Sequence, residues 1–108
     1  MTFRVQELSF ELIDELRPLI PRIRARDRAL ADQLMRAASS VALNISEGRT
    51  LDPGNQRTRY FTASGSADES RAALRVAVGW RHIQAVDAEQ ANRLLDSIVA
   101  ILWKLTRR

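Results

Sequence analysis

Apolar residues recur at intervals of three and four through four long segments of this chain, which is the period of one face of an α-helix. The first segment runs from Leu8 to Ile23. Pro18 and Pro21 lie inside it, and each removes a backbone amide donor and crowds the preceding turn. The pattern therefore predicts a first helix that is kinked or broken near these two prolines.

The second and third segments carry signals for where their helices begin and end. Asp27 is expected to cap the second helix, and Gly48 is expected to end it in the left-handed conformation that glycine adopts readily. The turn cluster RTLDPGNQR then contains Asp52 followed by proline, which predicts an N-cap with proline at the first helical position. The third helix is expected to run to about Ala85.

The fourth helix is expected to begin at Asp87, because Asp87 with Gln90 three residues later forms a capping-box pattern. Val99 and Trp103 are expected to widen its apolar face. No stretch alternates with a period of two for long enough to form a strand. The sequence therefore predicts an all-α fold, and the short connections favour an antiparallel up-down-up-down four-helix bundle.

Two apolar lines run along the third helix, and we expect both to be buried. One consists of Phe61, Gly65, Ala72, Val76 and Ile83, and the other of Tyr60, Ala63, Ala67, Leu74 and Val78.

Small side chains are concentrated on the second and third helices, for example in the stretch MRAASSVALNIS. Narrow helices allow their axes to approach more closely than usual, so these two helices are expected to pack together. Gly65 and Gly79 each cost about 1 kcal/mol relative to alanine inside a helix. We expect close packing or a bend to offset that cost.

Polar side chains form a stripe on each of the same two helices. Ser40, Asn44 and Glu47 share one face of the second helix, and Ser66 and Glu69 lie together on the third. Such stripes fit a solvated surface, a buried network or a subunit contact, and the spacing does not choose among them. The residues that we expect in packing, a polar network or an oligomer contact are Arg36, Ser40, Asn44, Glu47, Gly48, Gly65, Ser66 and Glu69. A carboxylate buried among the helices would need a partner such as Arg36, Arg71 or Arg75.

Composition indicates one folded domain over residues 1–108. Hydrophobic residues make up 45% and charged residues 28% of the chain, with only four glycines and three prolines. The absence of cysteine excludes disulfides and thiolate metal sites. No apolar run is long enough to span a bilayer and no signal-peptide pattern begins the chain, so we expect a cytoplasmic protein without membrane contact.

Motifs for catalysis are missing from the sequence. No glutamate is followed three residues later by histidine, His82 is the only histidine, and no phosphate-binding glycine loop or nucleophile elbow is present. We therefore expect no enzyme activity, cofactor, metal or small-molecule substrate. An acid–base pair formed by Glu47 and Glu69 is the weakest alternative.

Arginine dominates the basic residues, with sixteen arginines against one lysine and a net charge of +4. Arginine suits phosphate recognition, so contact with RNA or DNA is an alternative function. The candidate residues are Arg22, Arg24, Arg26, Arg28, Arg49, Arg57, Arg59, Lys104, Arg107 and Arg108. The competing interpretation is that these are separate solvated side chains paired with acids.

A helix-turn-helix motif is a further alternative for the segment LADQLMRAASSVALNISEGR. Its sharp turn would fall at residues 36–38, Arg-Ala-Ala. All three are good helix formers, so the sequence favours a continuous helix there.

The stretches QLMRAASSVALNISEG and RYFTASGSADES resemble the small four-helix-bundle proteins encoded by intervening sequences in bacterial 23S ribosomal RNA genes. The resemblance extends to the accessory variability protein of diversity-generating retroelements. The matching positions are Gln33, Arg36, Ala37, Ser40, Asn44, Ile45, Glu47 and Gly48 on the second helix, and Phe61, Ala63, Gly65, Ser66 and Glu69 on the third.

The resemblance implies an antiparallel four-helix bundle, commonly assembled as a homopentamer, without enzyme activity. Contact with nucleic acid or a reverse transcriptase is implied for the retroelement branch alone. We therefore expect a non-enzymatic homo-oligomeric scaffold or adaptor, with an RNA- or DNA-binding module as the alternative.

Overall fold

The protein forms five α-helices in a computed structural model that describes residues 3–107. Their bounds are Arg4–Leu16 for α1, Ile20–Arg24 for α2, Arg28–Gly48 for α3, Pro53–Gly79 for α4 and Ala85–Thr106 for α5. No strand occurs between Phe3 and Arg107, which confirms the predicted all-α class. Arg108, predicted to contact nucleic acid, lies outside the described residues.

The first predicted helix is broken, as its prolines indicated. α1 ends at Leu16, and α2 begins at Ile20 with Pro21 as its second residue, where a helix does not need the missing amide donor. The apolar line stays buried across the break at Leu8, Leu12, Leu16, Leu19, Ile20 and Ile23. One predicted helix thus becomes two, and residues 3–107 form five helices rather than four.

α3 is continuous through residues 36–38, where a helix-turn-helix would need its turn. The structure therefore excludes that motif in this segment. Asp27 caps α3 as predicted, because its Oδ1 accepts a hydrogen bond of 3.0 Å from the amide of Leu30.

The prediction that Gly48 ends α3 in a left-handed conformation is wrong. Gly48 is the last helical residue, the next residue Arg49 has φ −55°, and no glycine among residues 3–107 has a positive φ. A Cβ on Gly48 would lie 2.8 Å from Tyr60 Cε1 and 3.1 Å from Arg59 Cβ. Glycine is needed here because α4 approaches closely.

α4 begins as predicted, with Asp52 Oδ2 accepting a 3.3 Å hydrogen bond from the amide of Asn55. The expectation that both of its apolar lines are buried is wrong. In the line containing Tyr60, four residues are buried and Val78 is partly buried, whereas Phe61 and Val76 on the other line are 50% and 44% exposed. α4 packs mainly against α3 and α5, and much of its opposite face is exposed.

Gly65 and Gly79 were expected to be closely packed, and neither has a close neighbour among the described residues. Nothing among the described residues lies within 4 Å of the position that a Cβ would take at either glycine. The expected close packing is therefore absent among the described residues, and a bend, the other expectation, stays a prediction.

α4 ends at Gly79, six residues before the predicted end. Its last turn is a Schellman motif, in which the amide of His82 donates to the carbonyl of Ala77 (2.9 Å) and the amide of Arg81 donates to the carbonyl of Val78 (3.0 Å). The left-handed residue of this motif is Arg81, with φ 61°, rather than a glycine.

The N-cap of α5 lies three residues earlier than predicted. Gln84 is the N-cap residue, and its backbone amide donates a 2.8 Å hydrogen bond to Asp87 Oδ2. Asp87 is thus the third helical residue, whose carboxylate reaches back to the N-cap, and not the N-cap itself.

The helices enclose one cluster of buried apolar residues to which all five contribute, including Leu12, Ile23, Leu34, Leu74 and Leu95. α3 packs against α4, α5 packs against α4 and α1, and both α1 and α2 pack against α3.

Candidate functional site

A seam of hydroxyl and amide side chains joins α3 to α4. Ser40 Oγ and Ser66 Oγ are 2.8 Å apart, and Asn44 Nδ2 donates to the carbonyl of Ser40 (2.9 Å) and to Ser40 Oγ (3.0 Å). Ser66 is 7% exposed, and its carbonyl accepts a hydrogen bond from Ser70 Oγ. The two predicted polar stripes therefore meet as one hydrogen-bonded network between helices.

The two carboxylates of those stripes lie apart. Glu47 Oε2 is 3.2 Å from Arg59 Nη1 and lines a shallow surface depression, so its partner is not one of the arginines we expected. Glu69 lines a different depression with Arg36 and Gln33. The Ser40–Ser66 contact places Glu69 about ten residues along α3 from Glu47, which is roughly 15 Å at 1.5 Å per residue. Two groups at this separation do not act on one reacting bond.

Half of the arginine run around α2 is neutralised by ion pairs. Arg22 Nη2 lies 3.0 Å from Asp87 Oδ2, and Arg24 Nη2 lies 2.8 Å from Asp32 Oδ1. These guanidinium hydrogen bonds hold the pKa of both aspartates below its ordinary value. Arg26 and Arg28, the other predicted residues of this run, have no carboxylate within 4 Å among residues 3–107.

The opposite end of the molecule carries three predicted arginines beside aromatic rings, and Lys104 in the last turn of α5. We define the basic end as Arg49, Arg57, Lys104 and Arg107 together with the rings of Phe3, Phe61 and Trp103. It is built where α1 and α4 begin and where α3 and α5 end.

Each arginine of the basic end lies over one of these rings. The guanidinium carbon is 5.5 Å from the ring centroid for Arg49 over Phe3, 4.8 Å for Arg57 over Phe61 and 4.5 Å for Arg107 over Trp103. These distances are in the range of cation–π attraction.

Hydrogen bonds hold two of these arginines in place. Arg49 Nη1 donates to Gln6 Oε1, and Arg57 Nε donates to the carbonyl of Thr106, each at 2.6 Å. Both bonds cross between helices, so the positions of the guanidinium groups follow from the packing of the bundle.

The aromatic half of this surface was not predicted from the sequence. Phe61 and Trp103 were assigned to buried faces, whereas they are 50% and 55% exposed. A usable signal was present, since Arg57 precedes Phe61 by four residues and Arg107 follows Trp103 by four, which places each pair on one helix face.

An apolar surface lies on the outside of α1 and α3. We call it the apolar face and define it by Phe10, Ile13, Met35 and Leu43, which are 36% to 62% exposed. Beside it, a groove of about 200 Å³ is lined by Ile13, Leu16, Ile20, Pro21, Met35 and Ala38. The groove is bordered by the turn between α1 and α2, where Arg17 also lines it.

The sequence and the fold both have known counterparts. Residues 1–104 match the family model described as 23S rRNA-intervening sequence protein. The chain belongs to this family. The fold is similar to a solved structure from Bacteroides thetaiotaomicron, a protein with unknown function from the S23 ribosomal protein family, with a TM-score of 0.88 and 18% sequence identity. The alignment covers 96% of this chain and 99% of that one.

No curated protein matches the sequence. Among residues 3–107, no helix combines the length and the apolar character that crossing a membrane requires.

Proposed function

We propose that this member of the 23S rRNA-intervening sequence protein family is an antiparallel four-helix bundle in which α1 and α2 together form one arm. The cross-helix contacts support this arrangement. Along α3 and α4, Ser40 meets Ser66 and Gly48 meets Tyr60, so residue numbers rise on one helix as they fall on the other. Between α4 and α5, Arg57 meets Thr106 and Arg71 meets Asp96, so the residue numbers of these two helices also run in opposite directions.

We further propose that the bundle works as a non-enzymatic, homo-oligomeric scaffold or adaptor in the cytoplasm. The apolar face carries this proposal, because four large apolar side chains grouped on two adjacent helices mark an association surface. A second copy of the chain is the proposed occupant, and the family resemblance implies a pentamer. The distance between Glu47 and Glu69 supports the non-enzymatic part.

Light scattering coupled to size-exclusion chromatography tests the assembly. We expect a mass of about five times the 12.2 kDa of one chain at micromolar concentration. A double variant, Met35→Glu with Leu43→Glu, is expected to be a folded monomer. The control is Val86→Glu, which places one glutamate on a 63% exposed apolar residue of α5 and is expected to leave the mass unchanged. A parent protein that is monomeric at this concentration would refute the proposal.

A second candidate function is contact with RNA or DNA, and the basic end is the observation that favours it. A salt-titrated binding assay with mixed RNA and DNA tests this candidate. Absence of binding at about 50 mM salt would remove it, because electrostatic contacts with phosphate are strongest at low salt. The relationship to the retroelement accessory protein stays a prediction of the sequence.

A further inference from the structure

We propose that the basic end binds single-stranded nucleic acid, with phosphates against its four cations and bases against Phe61 and Trp103. This inference deepens the second candidate function above, contact with RNA or DNA, and rests on it. It says where the contact is and which form of nucleic acid is bound.

The cations of the basic end are available to an external anion. Among residues 3–107, no carboxylate lies within 4 Å of the charged groups of Arg49, Arg57, Lys104 or Arg107. Among the described residues, the other cation predicted near this end is Arg59, which is paired with Glu47. A phosphate can therefore bind these four groups without displacing an internal partner, as it would have to at Arg59.

Two of the three guanidinium groups of the basic end, those of Arg49 and Arg57, are also held in place by hydrogen bonds before a ligand binds. Arg57 uses its Nε for the carbonyl of Thr106, which leaves both terminal nitrogens for phosphate oxygens. Arg49 uses one terminal nitrogen for Gln6 and retains the other. Groups fixed in this way lose less conformational entropy on binding than free side chains do.

The aromatic rings favour a single strand over a duplex. Phe61 and Trp103 are half-exposed on α4 and α5, the two helices that the Arg57–Thr106 hydrogen bond joins. Unpaired bases stack on aromatic rings and on arginine planes, whereas a duplex hides the faces of its bases inside the helical stack. Exposed aromatic rings and arginine planes can stack with accessible bases, and the cations without a carboxylate partner can bind the phosphates of the same strand.

The first experiment measures the binding of labelled 12-nucleotide oligo-U, oligo-dT and a 12-base-pair duplex by fluorescence anisotropy. We expect both single strands to bind more tightly than the duplex. Four phosphate contacts give a slope of about −3 for the logarithm of the affinity against the logarithm of salt concentration, since each contributes about −0.7 on a single strand. Equal or tighter binding of the duplex would overturn the inference while leaving the second candidate function intact.

A pair of matched charge variants locates the contact. The test variant replaces the four cations of the basic end with glutamine, and the control replaces four cations elsewhere that also lack a carboxylate within 4 Å among the described residues: Arg26, Arg28, Arg75 and Arg81. The net charge changes equally. We expect the test variant to bind at least about tenfold more weakly at 50 mM salt than the control. Equal losses would show that net charge alone attracts the strand, and would overturn the inference.

Two milder variants keep the test valid if the fourfold substitution disturbs folding or assembly. Lys104→Gln with Arg107→Gln removes two cations whose side chains make no hydrogen bond within residues 3–107, and a fall in the salt slope of about 1.5 is expected. Trp103→Ala is expected to weaken binding about fivefold or more through loss of stacking.

Tryptophan fluorescence reports stacking directly on a nearly unchanged protein. In a Trp80→Phe variant, Trp103 is the only tryptophan, and its emission is expected to be quenched by oligo-dT. In a Trp103→Phe variant, Trp80 is expected to be unaffected. Binding without quenching of Trp103 would overturn the inference alone, whereas the absence of any binding would remove the second candidate function as well.

Discussion

Replacing Gly48 with alanine is expected to destabilise this protein, although alanine is the better helix former at most helical positions. The added methyl group would lie 2.8 Å from Cε1 and 3.1 Å from Cδ1 of Tyr60, and 3.1 Å from Cβ of Arg59. Carbon atoms in van der Waals contact are about 3.5–4.0 Å apart. The two helices must therefore separate, or the ring must move.

The ring of Tyr60 has little room to move. Its residue is 2% exposed, and its ring centroid lies 6.2 Å from that of Phe3. Burial also raises the pKa of its hydroxyl group. Adding a methyl group to such a packed site costs about 1–3 kcal/mol, and the better helix propensity of alanine returns at most about 1 kcal/mol. We expect a net loss of up to about 2 kcal/mol in the free energy of unfolding.

Urea and thermal unfolding, followed by circular dichroism at one fixed protein concentration, measure this loss. A net loss of that size is expected to lower Tm by several degrees, at about 4–8 °C per kcal/mol for a domain near 100 residues. Gly65→Ala is the matched control, because it makes the same substitution where nothing described lies within 4 Å. This control is expected to stabilise the chain by up to about 1 kcal/mol.

The two substitutions therefore have opposite expected signs. If Gly48→Ala stabilised the protein as much as Gly65→Ala does, the close approach of α3 and α4 would be refuted. The double variant with Tyr60→Leu adds a second check. Leucine lacks the two ring atoms that the methyl group meets, whereas Arg59 Cβ stays in place, so the cost of Gly48→Ala is expected to be smaller in that background.

Three further outcomes are expected. Asp87→Asn should lower stability at pH 7 and flatten the acid dependence of unfolding, measured by urea titrations from pH 7 to pH 2. The hydrogen bond from Arg22 keeps the pKa of Asp87 below its ordinary 3.8. The stabilisation by this carboxylate is therefore present above pH 3.8 and is lost as the pH falls through the folded-state pKa. An unchanged acid dependence of unfolding would contradict this account. Arg81→Gly should stabilise the protein by up to about 1 kcal/mol in thermal unfolding, because glycine adopts φ near 61° without strain; a loss of stability would show that the arginine makes a compensating contact. Ser66→Ala should cost about 1 kcal/mol by removing the hydrogen bond between α3 and α4, whereas the exposed Ser97→Ala should cost little; equal effects would show that the bond contributes nothing.

The helices and their starting points were largely predictable because the signals for them are local. The spacing of apolar residues depends only on helix geometry, and an N-cap aspartate such as Asp27 or Asp52 bonds an amide three residues later. The two prolines likewise act on their own turn, so the break between α1 and α2 followed from the sequence.

The helix ends were less predictable because one residue type serves more than one role. Asp87 matched an N-cap, yet its carboxylate reaches backwards to the amide of Gln84. Gly48 was expected to end α3 in the left-handed conformation. Gly48 is instead required by a neighbouring helix, and Arg81 takes the left-handed position at the end of α4.

Contacts between helices decided what the sequence left open. The polar stripes fitted solvent, a network or a subunit contact until the register of α3 against α4 placed Ser40 beside Ser66. The second apolar line of α4 had the spacing of a buried face, but spacing does not reveal how many neighbours a helix has. Phe61 is therefore exposed, and it is available to Arg57.

The basic end also receives both ends of the described chain. Phe3 contacts Tyr60 through its ring, and the carbonyl of Thr106 accepts a hydrogen bond from Arg57, one turn earlier on α4. A purification tag fused next to Phe3 or Thr106 would therefore lie close to the same surface and compete with any nucleic-acid strand that binds there. The loop at residues 80–84 follows the far end of α4, which at 27 residues is about 40 Å long. An epitope inserted in that loop would leave the surface open.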